Sequence, residues 1–171
     1  MKSEIYTDLY DSPIGTLIIG SFEEQICLCN WTSSNSDVTV YLRRHLGAEY
    51  NFRTSDINKL AIKQLEDYFN KERTKFELPL LICGTEFQKS VLSETCKIQY
   101  GEVKSYSQIA INIKSPKAVR AVASAERNNP IAIIIPCHRV LSISNKLTGY
   151  AGGLNIKEKL LKLENYNNYK K

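Results

Sequence analysis

The sequence predicts an α+β fold in two parts: an N-terminal subdomain of a small antiparallel sheet plus a helix, then a mostly helical C-terminal subdomain. Three observations predict it. Short apolar runs broken by turn residues fill the first third, a helical period follows, and capping sequences recur through the second half. The charged stretch Lys71 to Pro79 ends in proline and reads as the boundary, dividing the chain into 1–78 and 79–171.

Ile5 to Tyr10, Gly15 to Gly20 and Gln25 to Trp31 are the strand-like runs, separated by Asp11-Ser12-Pro13 and Ser21-Phe22-Glu23-Glu24. Cys27 and Cys29 lie two apart in the third run, so strand alternation points both to one face. A helix is expected from about Asp56 to Asn70, capped by Ser55, with Ile57, Leu60, Ala61, Leu65, Tyr68 and Phe69 at helical spacing. Thr85-x-x-Gln88 and Ser105-x-x-Gln108 fit the capping box, and Asn155-x-x-Glu158 is a looser version. Ser115-Pro116 sets a cap residue before a proline at a first helical position. The last helix is expected from Ile156 to about Asn165.

Hydrophobic residues make up 43% of the chain and charged ones 24%, an ordinary globular balance that excludes a disordered chain. No apolar run approaches the roughly 20 residues that span a bilayer. Met1-Lys2-Ser3-Glu4 lacks the apolar core of a signal peptide, so the cytoplasm is the expected compartment. Five cysteines, an odd count, argue against a disulfide framework there. The two histidines, His45 and His138, and the absence of a CxxC pair argue against a structural metal.

The chemistry concentrates at Pro136-Cys137-His138-Arg139-Val140, where the apolar run Ile131 to Ile135 ends. A thiol becomes a strong nucleophile when an adjacent base or a helix N-terminus removes its proton. On these residues alone two readings stand: a buried cysteine beside an incidental histidine, or an activated nucleophile. Net charge is +5, and Lys104, Lys114, Lys117, Arg120, Arg127 and Arg139 cluster in the C-terminal half. In the same stretch, two short helices flanking Asn112 to Ser115 form a helix-turn-helix pattern, which basic flanks tilt towards nucleic acid.

Gly101-Glu102-Val103, Ser105-Tyr106, Lys117 to Val122, Asn129-Pro130, Pro136 to Val140 and Gly149-Tyr150-Ala151-Gly152-Gly153 occur in order. Together they resemble the O6-alkylguanine-DNA alkyltransferases, also called methylated-DNA–protein-cysteine methyltransferases. The match runs from about Leu78 to Glu164, with Asp11 to Gly15 as a weaker extension. The resemblance implies direct reversal of DNA damage. An alkyl group passes from guanine O6, less readily from thymine O4, to a cysteine that is not regenerated, and no cofactor is needed. The implied partner is double-stranded DNA carrying an alkylated base, met through the minor groove by a monomer, with the base flipped out.

By the same resemblance Cys137 is the alkyl acceptor, His138 its base through a water, and Glu164 the carboxylate that orients the imidazole. Read without the family, Glu164 would be an exposed helix-end carboxylate. Cys137 is then expected to react faster than an ordinary thiol of pKa about 8.5. Tyr106 would crowd the target phosphate and neutralise the leaving guanine, and Asn129 would tie the turn before the active-site segment. Arg120 would fill the gap left by the flipped base, with Ser105, Lys117 and Arg127 also on DNA. Val140, Tyr150 and Ala151 would line the base pocket, the carbonyls of Cys137 and Val140 accepting from its amine.

The chain departs from the family pattern at Ala123-Ser124, Leu92, Gln99 and Ala132, none of which removes a chemical group. The Ala118 to Ala125 run is closer to the C-terminal domain of the bacterial adaptive-response proteins. Three other functions are weighed. A lesion-binding relative of this fold lacks the cysteine that Cys137 supplies, a cysteine hydrolase needs an oxyanion hole, and an adaptive-response regulator needs a second, metal-binding domain.

Overall fold

A computed structural model describes residues 3–171; Met1 and Lys2, on which the leader reading partly rests, lie outside the described residues. Strands β1 (Ser3–Ser12), β2 (Gly15–Phe22) and β3 (Gln25–Trp31) form an antiparallel meander. The second hairpin turns on Glu23 and Glu24, both at positive φ (47° and 61°), the backbone that a two-residue hairpin loop requires.

The sheet is not wholly antiparallel, which corrects the sequence reading. Helix α1 (Val38–Leu46) carries the chain over to β4 (Ala48–Asn51), which pairs parallel with β1 and gives the order β3-β2-β1-β4. A parallel pair needs such a crossover. The sequence hid α1 because Asp37 makes no side-chain cap bond and Val40 and Tyr41 face outward. Cys27 and Cys29 also part company. A register shift opposite Gly20 and Ser21 leaves Cys27 as an extra residue, which sends it into a different apolar cluster from Cys29.

Helix α2 (Asp56–Phe69) starts at Ser55, whose hydroxyl accepts from Asn58 N at 3.2 Å, and lays Ile57, Ala61, Leu65 and Tyr68 on the sheet. Leu60, counted with that face from its spacing, is exposed instead. The free edge of β3 is covered rather than left open: Ile26 pairs with Leu80, and Cys29 with Ile131. Ala132 N donates to Cys29 O at 2.7 Å, so the run that precedes Cys137 is fastened to the sheet.

The C-terminal part consists of α3 (Glu86–Thr95), α4 (Tyr106–Asn112), α5 (Val119–Arg127) and α6 (Leu154–Leu163). Capping boxes form at Thr85–Gln88 and Ser105–Gln108 as expected. The other two do not. Gly153, at φ +95°, stands at the cap position of α6 in place of Asn155, and Ser115-Pro116 folds into a turn closed by Ala118 N on Ser115 O at 2.9 Å. Helix α5 therefore begins three residues after the proline. Strands β5 (Lys104–Ser105) and β6 (Val140–Leu141) pair parallel and clamp the start of α4 to the segment after Cys137.

The largest apolar cluster joins both halves: Ile19, Trp31 and Leu65 pack with Ile131, Ile135 and Leu160. Among the described residues no helix is long and apolar enough to cross a membrane.

Candidate active site

Asn129 builds the turn from α5 into the active-site segment. Its Oδ1 accepts from Ile131 N at 2.9 Å and its Nδ2 donates to Ile135 O at 2.9 Å. Between these anchors Ile133 is forced to φ +68°, a left-handed backbone that costs a β-branched residue about 1–3 kcal/mol. The chain then turns through Pro136 into a single 3-10 turn, Cys137–Arg139, in which all three residues are buried.

Burial pushes the Cys137 thiol up to about 12, and Glu126 adds to it, while Asn129 and Lys157 act the other way. Burial thus favours the thiol form of Cys137 over the thiolate.

His138 is fully buried, and burial lowers its pKa, so the imidazole is neutral. Its Nε2 lies 2.7 Å from Glu164 Oε1. Glu164 is buried as well, not the exposed helix-end group that the bare sequence suggested. Burial opposes its ionisation, but His138 and Arg139 outweigh that and hold the carboxyl well below the usual range. An ionised carboxylate only accepts, so Nε2 carries the ring hydrogen and Nδ1 keeps its lone pair. Nδ1 is buried and has no partner among the described residues.

Glu164 is held from all sides. The Tyr68 hydroxyl donates to Oε1 at 2.6 Å, and Arg139 donates to both oxygens at 2.9 Å while its third nitrogen reaches Ile98 O. Sequence reasoning placed Tyr68 on the apolar face of its helix but not at this site, and placed Arg139 in the basic cluster. Arg139 is in fact 5% exposed and committed to Glu164, so it cannot meet a phosphate. Lys104 likewise pairs with Glu94 at 3.2 Å.

Sequence reasoning missed Lys157. Fully buried on α6, it donates from Nζ to Val140 O at 2.7 Å and Thr148 O at 3.0 Å. Burial pulls its pKa down to about 8. One sequence signal could have found it: Lys157, Leu160, Leu161 and Glu164 share one face at helical spacing. The Val140 carbonyl thus carries one donor already, and the Cys137 carbonyl accepts from Val140 N.

The remaining residues divide by surface. Tyr106 is half-buried, its hydroxyl donating to Thr148 O at 3.2 Å while the Lys157 ammonium lies 5.9 Å from its ring centroid. Ser105 Oγ accepts from Gln108 N as the cap of α4. Arg120, Lys117 and Arg127 are exposed, Arg120 in the first turn of α5. Tyr150 and Ala151 line a cavity of about 560 Å³ together with Arg127, Pro130 and Ser34 to Val38, and Val140 is not part of its lining. Trp31 Nε1 donates to the Tyr150 hydroxyl at 3.2 Å. Gly152 lies against the same indole, where a Cβ would stand 2.4 Å from the Trp31 ring.

Residues 86–166 match the profile described as 6-O-methylguanine DNA methyltransferase, DNA binding domain, and residues 5–82 its ribonuclease-like domain. The chain belongs to the methylated-DNA–protein-cysteine methyltransferase family. A family member from Methanosarcina acetivorans is 43% identical over 94% of this chain and 98% of its own length. One from Mycobacterium leprae is 43% identical over 91% of this chain and 90% of its own. The Mycobacterium tuberculosis family protein solved in complex with DNA superposes with a TM-score of 0.79 at 38% identity, over 94% of this chain and 92% of that one. The α+β fold expected from the sequence is the fold of that neighbour.

Proposed function

We propose that Cys137 is the alkyl acceptor of this chain and His138 Nδ1 the base that takes its proton. The activity is DNA repair by transfer of an alkyl group from a DNA base to a protein cysteine, as family membership and the DNA-bound neighbour support. One observation carries the assignment: next to Cys137 in the chain and in the same buried turn stands His138, whose Nε2 is bound to an ionised carboxylate and whose Nδ1 is buried without a partner among the described residues. Its free lone pair is what a general base needs, and the carboxylate stabilises the imidazolium that forms.

The lesion is O6-alkylguanine, with O4-alkylthymine a poorer substrate. When the base enters, a water between sulfur and Nδ1 relays the proton. The thiolate attacks the alkyl carbon in line, and the carbon–oxygen bond electrons stay on the base. Tyr106 neutralises the leaving guanine. Arg120, exposed at the start of α5, fills the stack after the base flips through the minor groove, and Ser105, Lys117 and Arg127 hold the backbone. Asn129 acts by fixing the turn, and Val140, Tyr150 and Ala151 bound the base. The chain works as a cytoplasmic monomer, its division at 78 and 79 supported by the two family profiles that meet between 82 and 86.

Intact-mass measurement after incubation with O6-methylguanine DNA tests this reading. It should show one added methyl per chain, mapped by peptide analysis to Cys137, and no second turnover. Methyl on Cys27, Cys29, Cys83 or Cys96, or continued turnover, would overturn the assignment.

A further inference from the structure

Glu126 lies on the inner face of α5 with Val122 and Ala125, 4% exposed, and the relay described above does not use it. Its Oε1 is hydrogen-bonded to the Thr95 hydroxyl of α3, and Oε2 has no partner among the described residues. That hydroxyl also lies 2.9 Å from Val91 O. A hydroxyl has one hydrogen, and a backbone carbonyl only accepts. Thr95 can donate to only one of these two oxygens at a time, whereas a protonated Glu126 carboxyl supplies a second hydrogen, serves both contacts and leaves no buried anion on the unpartnered Oε2. The surroundings of the carboxyl agree, since burial pushes it up to about 8 against the pull of Thr95 and Lys157.

Val122 and Ala125, beside Glu126 on α5, pack with Val91 of α3, Ile109 of α4 and Val140. The Val140 carbonyl holds the Lys157 ammonium at 2.7 Å and its N–H binds Cys137 O, so the groups around Glu126 come from every neighbouring element. Lys157 of α6 is the cation, Cys137 of the 3-10 turn and Tyr106 of α4 are acids, and Cys96 stands at the end of α3. Negative charge on Glu126 raises Cys137, whereas the Lys157 ammonium lowers it. With Glu126 neutral, the ammonium faces the sulfur uncompensated and favours the thiolate. With Glu126 ionised, the ammonium is neutralised and a like charge opposes the thiolate.

We propose that Glu126 is a positioning residue for alkyl transfer, kept protonated against Thr95 so that the Lys157 charge serves the Cys137 sulfur, and that loss of its proton shuts the acceptor down. The proposal rests on Cys137 being the acceptor. Glu126 exchanges no atom in the transfer; it sets the charge in which the thiol proton leaves for His138.

Two measurements test it. Infrared spectroscopy of the wild-type chain with isotope-labelled glutamate should show a protonated-carboxyl carbonyl stretch at neutral pH that vanishes through about pH 8 and is missing from Glu126→Gln. This arm on the wild type needs no variant to fold. Second, benzyl transfer from free O6-benzylguanine is timed for Glu126→Gln and wild type across pH. Lys157, itself drawn down to about 8, sheds its charge in both chains over this range, and the wild type loses its acid as well, so the ratio of variant to wild-type rate should rise about twofold by one pH unit above that midpoint, whatever its value at neutral pH. A flat or falling ratio, or a wild type without the carbonyl band, would overturn the proposal. A wild type that transfers nothing at any pH would instead overturn the acceptor assignment, and leave the infrared result standing.

Discussion

Arg139 grips Glu164 through two nitrogens on two oxygens, each at 2.9 Å, with both side chains buried. This pair, rather than histidine alone, fixes the carboxylate as an anion. The anion in turn fixes the His138 tautomer and leaves Nδ1 available. The charge beside the His138 ring is thus set by a guanidinium that binds Glu164 and makes no hydrogen bond to the imidazole.

Glu164→Gln should slow benzyl transfer from the free base by about 10²-fold, the usual scale of one general-base partner. It should also lower stability by about 3–5 kcal/mol, because Arg139 is left as a buried charge without its counter-ion. Urea denaturation and single-turnover kinetics read the two effects separately. A variant with wild-type stability and wild-type transfer would mean that neither the pair nor the relay operates.

The pH dependence follows from the direction of two shifts. Burial holds His138 below its ordinary 6.5. The unfolded chain therefore takes up a proton near 6.5 while the folded one resists to lower pH, so stability falls as pH drops through that window. Glu164, held below its ordinary 4.5, adds a second loss as pH falls beneath that value. Free-base transfer should persist down to about 6.5 and decline only below it. Thermal melts and transfer rates from about pH 4 to 8 measure both, and a transfer midpoint above 6.5 would contradict a buried, neutral His138.

Arg120→Ala should slow repair of duplex DNA far more than transfer from free O6-benzylguanine. Arg120 points outward from the first turn of α5 and shares no hydrogen bond with the acceptor turn. Rates on the two substrates, with the salt dependence of duplex binding, decide it. Equal loss on both would assign Arg120 to the fold.

Gly152→Ala places a methyl 2.4 Å from the Trp31 ring, a clash with a rigid buried indole. The loop carrying Tyr150 must move out, at a cost of about 1–3 kcal/mol. Benzyl transfer should fall with it, and Trp31 fluorescence, from the only tryptophan in the chain, reports the displacement. Unchanged emission and unchanged rate would show that the indole does not set the loop position.

The sequence by itself determined strands β1 to β3, the side-chain-capped helices and the motif from which the candidate site is built. Ser55, Thr85 and Ser105 cap helices because a cap is a short-range hydrogen bond between residues three apart. Cys137, His138 and Asn129 were readable because they sit in one contiguous motif with ordered fragments on either side. Only the tertiary structure decided which charges are buried. Arg139 and Lys104 read as free cations, yet their partners Glu164 and Glu94 lie 25 and 10 positions away. The parallel return of β4, the parting of Cys27 from Cys29, the bond from Tyr68 to Glu164 and the burial of Glu126 against Thr95 have the same cause. Each depends on what packs against a residue from a distant segment, and one-dimensional periodicity carries no record of that partner.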